Sequence, residues 1–435
     1  MKQYDNSLHY KLRLIWAYKD VIRNHVGVVS RHYINAFRKS QIQAAHRLRD
    51  KEHIEVAFFL TIPGMWKSDY LFQALQAHPR FHPYVVIYPY SWFKGFSKSE
   101  VDATVERTRR FVEEKGFEYV IPYDTQHDRW EDVKKTKNPD IVVFTTPYKD
   151  FPPQYFVYHY RDKLTCYVPY GFSSLNMKGV NYDLIFHNLV GLHFVESELH
   201  RQLAETYSRN KAANVAVTGY PGTEVFLRKD YHPRNVWKPQ PTQKKKVIWA
   251  PHHTIDSTLE LSTFLLRCDD MLALAEKYRD GIQFTFKPHQ LLKFKLQQLW
   301  GEKKTADYYN RWATMENTQL EESSYVDLFL TSDAMIHDCG SFTTEYLFTG
   351  KPVMYLTHDE RFAERFNPFG IKAFECHYRG SDMERIEHFL SDVVLAGNDP
   401  MRSQREAFFR QYLQPVDGMM PSERIIYEIE KMINS

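Results

Sequence analysis

Short apolar runs alternate with amphipathic stretches along most of the chain, beginning at residue 54. Each run has the length of a buried strand, and several of the stretches between them show helical spacing of apolar residues. The predicted strands lie at 54–62, 84–88, 118–121, 140–145, 164–168, 183–186, 214–218, 247–250, 282–286, 328–330, 334–337 and 352–356. The predicted helices lie at 99–115, 197–209, 258–278, within 291–318, and at 343–348, 382–395, 401–413 and 421–433. This alternation predicts an α/β fold with parallel sheets that are covered on both faces.

One interruption of the pattern divides the chain. Residues 230–246 contain three prolines and a run of three lysines but few apolar side chains, so we interpret them as an inter-domain linker. Ligands of doubly wound sheets bind outside the carboxyl ends of the strands, and we therefore expect a site in a cleft between two such domains. The predicted organisation is a helical arm, a first α/β domain, the linker, a second α/β domain and helices that pack back across both domains, at 1–50, 51–229, 230–246, 247–400 and 401–435.

Composition narrows the class of protein. The 435 residues are 43% hydrophobic, which is enough for two cores and excludes a mainly disordered chain. No run approaches the roughly 18–20 apolar residues of a membrane span, and no apolar segment of a signal peptide follows Met1. The four cysteines are far apart and form no CxxC pair, which argues against a disulfide framework or a cysteine zinc site. We therefore expect a cytoplasmic protein.

Basic charge is concentrated near the N-terminus. Residues 1–51 carry 11 Lys or Arg and 3 Asp, a net charge of +8, whereas the rest of the chain carries −5. Apolar residues recur every three or four positions over residues 8–22, which predicts a basic amphipathic helix. The basic arm of residues 1–50 can bind the anionic inner face of the plasma membrane through such a helix, or the helix can dock on the body of the protein. A nucleic-acid partner is not expected, because the body has no basic cluster with interleaved aromatic residues.

The first group of candidate site residues follows the predicted strand that ends before Asp338. Gly340 lets the backbone approach a ligand closely, and the N–H groups of Ser341 to Thr343, at the start of a predicted helix, can hold a phosphate. Glu345, one turn further, can accept hydrogen bonds from ribose hydroxyls. An ordinary strand–helix turn with Ser341 as helix cap explains the same residues equally well.

Three other strand ends carry candidate residues. Lys287 and His289 follow one strand, and both can donate to phosphate oxygens. His252 and His253 follow another; because adjacent side chains point in different directions, we expect no metal site from this pair. Tyr170 follows a strand of the first domain, where it is either an aromatic wall residue or a reactive group.

The order of these motifs resembles the CDP-glycerol glycerophosphotransferase family, the teichoic-acid primases and polymerases. The resemblance covers about residues 140–360. It rests on Pro-Tyr-Gly at 169–171, Thr-Gly-Tyr-Pro-Gly at 218–222, Trp-Ala-Pro at 249–251, Lys-Pro-His at 287–289, Ser-Asp at 332–333, Asp-Cys-Gly-Ser at 338–341 and Gly-Lys-Pro-Val at 350–353. It implies the GT-B fold, in which two Rossmann-like doubly wound domains face a cleft.

The resemblance also implies a reaction. An acceptor hydroxyl attacks the β-phosphate of a CDP-activated donor such as CDP-glycerol, and CMP leaves without a metal or cofactor. The acceptor would be a lipid-linked or polymeric glycan or polyol phosphate of the cell envelope or capsule. The implied donor-binding residues are Lys287, His289, Asp338, Gly340, Ser341, Thr343 and Glu345.

The chain departs from the family pattern at two places. Cys339-Gly340 stands where the family has Tyr-Ser, and Tyr170 stands where the family has the histidine that acts as general base. A tyrosine with a pKa of about 10 is a poor base at neutral pH. The candidate catalytic residues on the acceptor side are therefore Tyr170, His252 and His253.

Other functions fit the same sequence. A GT-B glycosyltransferase that uses a UDP- or CMP-sugar in surface polysaccharide synthesis would share the Gly-Ser turn and the glutamate. A non-catalytic glycan-binding relative would explain the missing family histidine. A nucleotide-sugar epimerase is a weaker alternative.

Overall fold

The computed structural model describes a large part of the chain, namely residues 27–89, 97–149, 151–256, 261–322 and 325–435. The amphipathic pattern predicted over residues 8–22 lies outside these ranges. Within them, no helix is both long enough and apolar enough to cross a membrane.

Strands and helices alternate along the chain. The strands are β1 Ile54–Leu60, β2 Phe81–Ile87, β3 Tyr119–Val120, β4 Tyr123–Asp124, β5 Arg129–Trp130, β6 Ile141–Phe144, β7 Leu164–Tyr167, β8 Leu192–Val195, β9 Val215–Val217, β10 Lys245–Ala250, β11 Ile282–Phe286, β12 Thr318–Leu320, β13 Ala334–His337, β14 Val353–Leu356 and β15 Tyr378–Gly380. The helices are α1 Gly27–His46, α2 Asp69–Ala77, α3 Lys98–Glu114, α4 Val133–Thr136, α5 Lys178–Tyr182, α6 Ile185–Leu189, α7 Glu198–Tyr207, α8 Glu224–Leu227, α9 Phe264–Lys277, α10 Leu292–Trp300, α11 Glu302–Thr314, α12 Val326–Thr331, α13 Phe342–Glu345, α14 Pro368–Phe374, α15 Met383–His388, α16 Arg402–Phe408 and α17 Pro421–Asn434. Two π-helical stretches continue α15 and α16, at Phe389–Leu395 and Phe409–Leu413.

The chain forms two compact units. Unit 1 contains the described residues up to Gly171, residues 177–222 and Pro415–Ser435, and unit 2 contains Phe172–Asn176 and Thr223–Gln414. Each unit has one parallel sheet, so the predicted α/β fold is confirmed. Residues 230–244, interpreted above as part of a linker, lie within unit 2, where the Trp237 indole donates to Thr331 and the Lys238 N–H donates to Gln319.

The sheet of unit 1 has seven strands in the order β3-β2-β1-β6-β7-β8-β9. Strand β1 is central, with Val56 opposite Pro83 on one side and Ile141 on the other. Alternate residues of β1 contribute to two separate cores: Val56 and Phe58 to one, Phe59 to the other. Burial on both faces explains why this strand is a continuous apolar run rather than an alternating one.

The first and the last helix of the described residues pack within unit 1. In α1, Ile34 and Phe37 are buried, and the Gln41 side chain accepts the Thr165 backbone N–H at 2.9 Å. The described part of the predicted arm is therefore a helix docked on the protein. In α17, three isoleucines four residues apart enter the same core as β1: Ile425, Ile429 and Ile433.

The sheet of unit 2 has six strands in the order β12-β11-β10-β13-β14-β15. The strand order reverses between β10 and β13, and this reversal is where doubly wound sheets bind ligands. The core that packs against β10 and β11 is aromatic. In it Trp249 stacks on Phe264 and Phe286, with ring centroids 5.7 and 5.0 Å from that of Trp249. This packing fixes the direction in which the loops after β10 and β11 leave the sheet.

Two predicted strands are wrong. Residues 185 and 186 begin helix α6, since a short apolar run fits a buried helical turn as well as a strand, and the strand comes later as β8. Residues 328–330 belong to helix α12, since an apolar run of three residues fits a buried helical turn as well as a strand. The edge strand β12 was missed because its Thr-Gln-Leu sequence is largely polar.

Candidate functional site

Three loops of unit 2 lie side by side where β10, β11 and β13 end. The Lys287 N–H donates to the Trp249 carbonyl at 2.8 Å, and the His289 N–H donates to the Pro251 carbonyl at 3.0 Å. These bonds continue the pairing of β10 with β11 beyond the strands. They bring the loop with Lys287 and His289 beside the loop with His252 and His253.

The three imidazoles of these loops converge. His252, His253 and His289 have ring centroids 4.2–5.1 Å apart, and one nitrogen of each lies within 4.8 Å of the others. The prediction that the two adjacent histidines diverge is wrong here, because the His252 and His253 ring centroids lie 4.3 Å apart and the His289 ring lies beside both. We call His252, His253 and His289 the histidine cluster.

Burial keeps the histidine cluster neutral. Burial is the main cause and the nearby His253 a smaller one, and together with neighbouring charges they lower the pKa of His252 to about 2 and that of His289 to about 3. The pKa of His253 is also lowered by burial. The Leu291 N–H donates to Nδ1 of His289 at 3.1 Å, so in this tautomer Nε2 carries the proton and can donate to a ligand.

Lys287 supplies positive charge beside the cluster. Its side chain is only 9% exposed, and burial lowers its pKa while Glu321 acts in the opposite direction. A buried ammonium group at the end of a central strand is well placed to bind a negatively charged ligand.

Asp338 holds two neighbouring segments in place through hydrogen bonds. It is fully buried and accepts hydrogen bonds from the His252 N–H and from both the N–H and the hydroxyl of Thr263. Burial raises its pKa to about 6 despite these donors. Because both carboxylate oxygens are engaged within the protein, Asp338 orients the loops rather than presenting itself to a ligand. Thr263, which lies just before α9, is a residue that the motif analysis missed, although its position is typical of a helix cap.

The turn after Asp338 offers backbone donors. The N–H groups of Gly340 and Ser341 donate to no acceptor among the described residues. A Cβ on Gly340 would lie 3.0 Å from Leu175, so the turn has little space for a larger side chain. The Thr343 hydroxyl donates to the Cys339 carbonyl at 2.9 Å and is buried, which turns it away from a ligand.

Glu345 is buried one turn further on. It is 2% exposed, and Tyr325 donates a hydrogen bond to its carboxylate. Its Oε2 atom has no hydrogen-bond partner within the described ranges. A buried carboxylate oxygen of this kind calls for a donor from a ligand or water.

Tyr170 lies in unit 1, just after β7. Its hydroxyl is 3.4 Å from the Tyr148 hydroxyl. Of the ten candidate residues, the other nine lie in unit 2 at the ends of β10, β11 and β13.

The fold and sequence are similar to known proteins. The model of the family "CDP-Glycerol:Poly(glycerophosphate) glycerophosphotransferase" matches residues 182–431, more than half of the chain. No curated protein sequence matches the chain.

Several solved structures share the fold. A variant of the wall teichoic acid polymerase TagF is 12% identical, covers 97% of this chain and 98% of its own, and has a TM-score of 0.56. A putative UDP-N-acetylglucosamine 2-epimerase from Listeria monocytogenes is 16% identical over 87% of this chain and 96% of its own, with a TM-score of 0.56. MnaA from S. aureus, solved with UDP, is 16% identical over 88% and 97%, with a TM-score of 0.54. These likenesses establish the GT-B fold, and the family match establishes that the chain belongs to the CDP-glycerol:poly(glycerophosphate) glycerophosphotransferase family.

Proposed function

We propose that the chain transfers glycerol phosphate, or a similar polyol phosphate, from a CDP-activated donor to a membrane-linked glycan or polyol-phosphate acceptor and releases CMP. The observation that carries this proposal is that the family match over residues 182–431 contains the whole group of strand-end residues in unit 2. One TagF structure is described as soaked with CDPG, which fits a donor of this class.

The donor diphosphate would lie over the ends of β10, β11 and β13. The Lys287 ammonium, the Nε2–H group of His289 and the backbone N–H groups of Gly340 and Ser341 are donors of the kind that bind phosphate oxygens. Glu345, with one unpartnered carboxylate oxygen, would accept from a ribose hydroxyl. Asp338 and Thr343 would act by holding the loop in place.

The chemistry requires one bond to form and one to break. The acceptor oxygen attacks the β-phosphorus, the bond from that phosphorus to the bridging oxygen breaks, and CMP departs with the electron pair. The acceptor proton passes to solvent or to a nearby base. If the transition state is loose, positioning and charge stabilisation supply most of the acceleration, so a strong base is not essential.

The acceptor-side candidates are compatible with a reaction that needs no strong base. A histidine with a pKa of about 2, such as His252, is a weak base at neutral pH, but as a neutral imidazole it can donate one hydrogen bond and accept another. We retain His252, His253 and Tyr170 as candidates for contact with the acceptor or with the reacting phosphate.

We also propose that residues 1–26 bring the chain to an anionic membrane, because the following helix α1 is already docked on unit 1. A chain that lacks residues 1–26 should move from the membrane fraction to the soluble fraction of a cell lysate. Unchanged partitioning would contradict this part of the proposal.

Donor preference tests the proposed function directly. Thermal unfolding of the full chain should shift upward with CMP and CDP-glycerol, by an amount equivalent to about 2.7 kcal/mol at one hundred times Kd, and should not shift with UDP. CDP-glycerol with a polyol-phosphate acceptor should then yield CMP. A shift with UDP alone, without CMP release from CDP-glycerol, would overturn the assignment in favour of a sugar nucleotide.

A further inference from the structure

The histidine cluster has the donor atoms of a transition-metal site. Three separate imidazoles from two loops converge so that one nitrogen of each lies within 4.8 Å of the other two. It is the only group of three or more such side chains that is close enough to hold a metal ion among the described residues. Carboxylates are not part of it, which sets it apart from the ordinary surface clusters of acidic residues.

The spacing is close to that of a metal complex. With metal–nitrogen bonds of about 2.0–2.1 Å and tetrahedral angles, ligand nitrogens lie about 3.4 Å apart and ring centroids about 5 Å apart. The observed centroid separations of 4.3, 4.2 and 5.1 Å are near this value. The ligand nitrogens, which lie within 4.8 Å of one another, would have to approach to about 3.4 Å when a metal binds.

The surroundings hold two of the ligands in place. The backbone N–H of His252 is fixed by Asp338, and Nδ1 of His252 accepts the Thr254 backbone N–H at 3.4 Å. If Nε2 binds a metal, Nδ1 carries the proton, that hydrogen bond is given up, and the Thr254 hydroxyl, 3.0 Å away, can accept the proton instead. Nδ1 of His253 is buried and has no hydrogen-bond partner in the described part of the chain. That nitrogen gains a partner if it binds a metal ion.

His289 also gives up a hydrogen bond when it binds a metal. If its Nε2 binds a metal, the proton moves to Nδ1, and the hydrogen bond from the Leu291 N–H must be given up. Because Nδ1 of His253 has no hydrogen bond to give up, loss of the His289 imidazole should reduce metal affinity less than loss of the His253 imidazole.

We propose that His252, His253 and His289 bind one divalent transition-metal ion, of which Zn²⁺ is the best match. Three neutral nitrogen ligands favour Zn²⁺, Co²⁺, Ni²⁺ or Cu²⁺ over Mg²⁺ and Ca²⁺, which prefer oxygen. Three protein ligands leave a further coordination position for water or for an oxygen of a phosphate, and in the metal-bound state this bond takes the place of the hydrogen bond from Nε2 of His289 to the phosphate. Metal binding is measured without nucleotide, so this proposal stands whether or not the proposed donor is correct.

Metal titration of the full chain, after treatment with a chelator, tests the proposal. Calorimetry should show one saturable Zn²⁺ site per chain and no heat with Mg²⁺. The His253→Gln variant should bind Zn²⁺ at least tenfold more weakly, and His289→Gln should lose less. The matched control is His53→Gln, since His53 stacks on His82 at the surface of unit 1 and forms no part of the cluster.

The spectrum of bound Co²⁺ gives a second readout that needs no variant. Nitrogen coordination with four or five ligands gives strong visible absorption, and saturation at one equivalent supports the proposal. A weak spectrum typical of six oxygen ligands, no saturable Zn²⁺ binding, or equal losses in His53→Gln and His253→Gln would each overturn it. Circular dichroism of each variant shows whether a loss of binding comes from unfolding, and in that case the Co²⁺ spectrum of the unmodified chain decides.

Discussion

The carboxylate of Asp338 accepts the backbone N–H of His252, which lies 86 positions earlier in the chain. The other carboxylate oxygen accepts the N–H and the hydroxyl of Thr263, at 2.6 and 2.9 Å. One buried acid thus joins the end of β13 to the loop after β10 and to the start of α9. The position of the histidine cluster depends on this connection.

Replacement of Asp338 by alanine should destabilise the protein and disturb the site together. It leaves three buried donors without an acceptor, which costs about 2–5 kcal/mol in the free energy of unfolding. Urea denaturation measures this loss, and Asp280→Ala, at a side chain that is 98% exposed, is the control. A stability equal to that of the control would show that the Asp338 hydrogen bonds contribute nothing net.

Lys287→Met should reduce turnover while the fold persists. The methionine keeps the length and apolar part of the side chain but removes the positive charge that we propose binds the donor diphosphate. Loss of one preorganised charge interaction in a buried site typically lowers the rate on the order of 10²–10³-fold. The initial rate of CMP release checks this.

The control for Lys287→Met is Lys303→Met, at a side chain that is 89% exposed and pairs with Asp307. This variant should keep the rate of the unmodified chain. If both variants release CMP at rates within twofold of each other, Lys287 is not part of the donor site.

Gly370→Ala should be strongly destabilising. A Cβ at Gly370 would lie 2.1 Å from the Ser174 carbonyl oxygen, a backbone atom that cannot rotate away. Overpacking of this kind costs about 1–3 kcal/mol or more. The control is Gly179→Ala, because no atom lies within 4 Å of a Cβ there. Thermal unfolding compares the two variants, and similar melting temperatures would mean that the segment with Ser174 moves aside easily.

The fold was largely predictable because most strands are buried on both faces. Such strands are continuous apolar runs, and β1, β10, β11 and β13 were all located from them. The errors came where the polarity of a segment does not indicate its secondary structure. These segments are the largely polar edge strand β12 and the short apolar runs that form helical turns. Periodicity does not distinguish a three-residue strand from a single helical turn.

The candidate site was predictable only in part. Positions after parallel strands necessarily share one edge of the sheet, so Lys287, His289 and Ser341 could be grouped from sequence. The convergence of His289 with His252 and His253 depends on the hydrogen bonds that join the β10 and β11 loops, which the sequence pattern does not reveal. The role of Asp338 depends on Thr263, which is 75 positions away and belongs to no motif.

Buried histidines should make the protein sensitive to mild acid. Burial lowers the pKa of His193 and of His377 to about 3, and it holds the pKa of His187 well below its usual value. In the unfolded chain these groups titrate near 6.5, so below that pH the unfolded state binds more protons than the folded state. The contribution of these neutral imidazoles to the free energy of unfolding is therefore fully present above about pH 6.5 and is lost as the pH falls toward 3.

The expected loss can be measured by urea denaturation at pH 7.5 and 5.5. Each buried histidine that stays neutral should lower the free energy of unfolding by about 1.4 kcal/mol at pH 5.5 relative to pH 7.5. Asp338, whose pKa is raised to about 6, acts in the opposite direction and offsets less than about 1 kcal/mol of this loss. His193→Gln should reduce the difference between the two pH values by about 1.4 kcal/mol. Gln126→Asn, at an exposed position with a side chain that does not titrate, should leave the difference unchanged. Identical pH dependence in both variants would contradict the assignment of the acid sensitivity to the buried imidazole of His193.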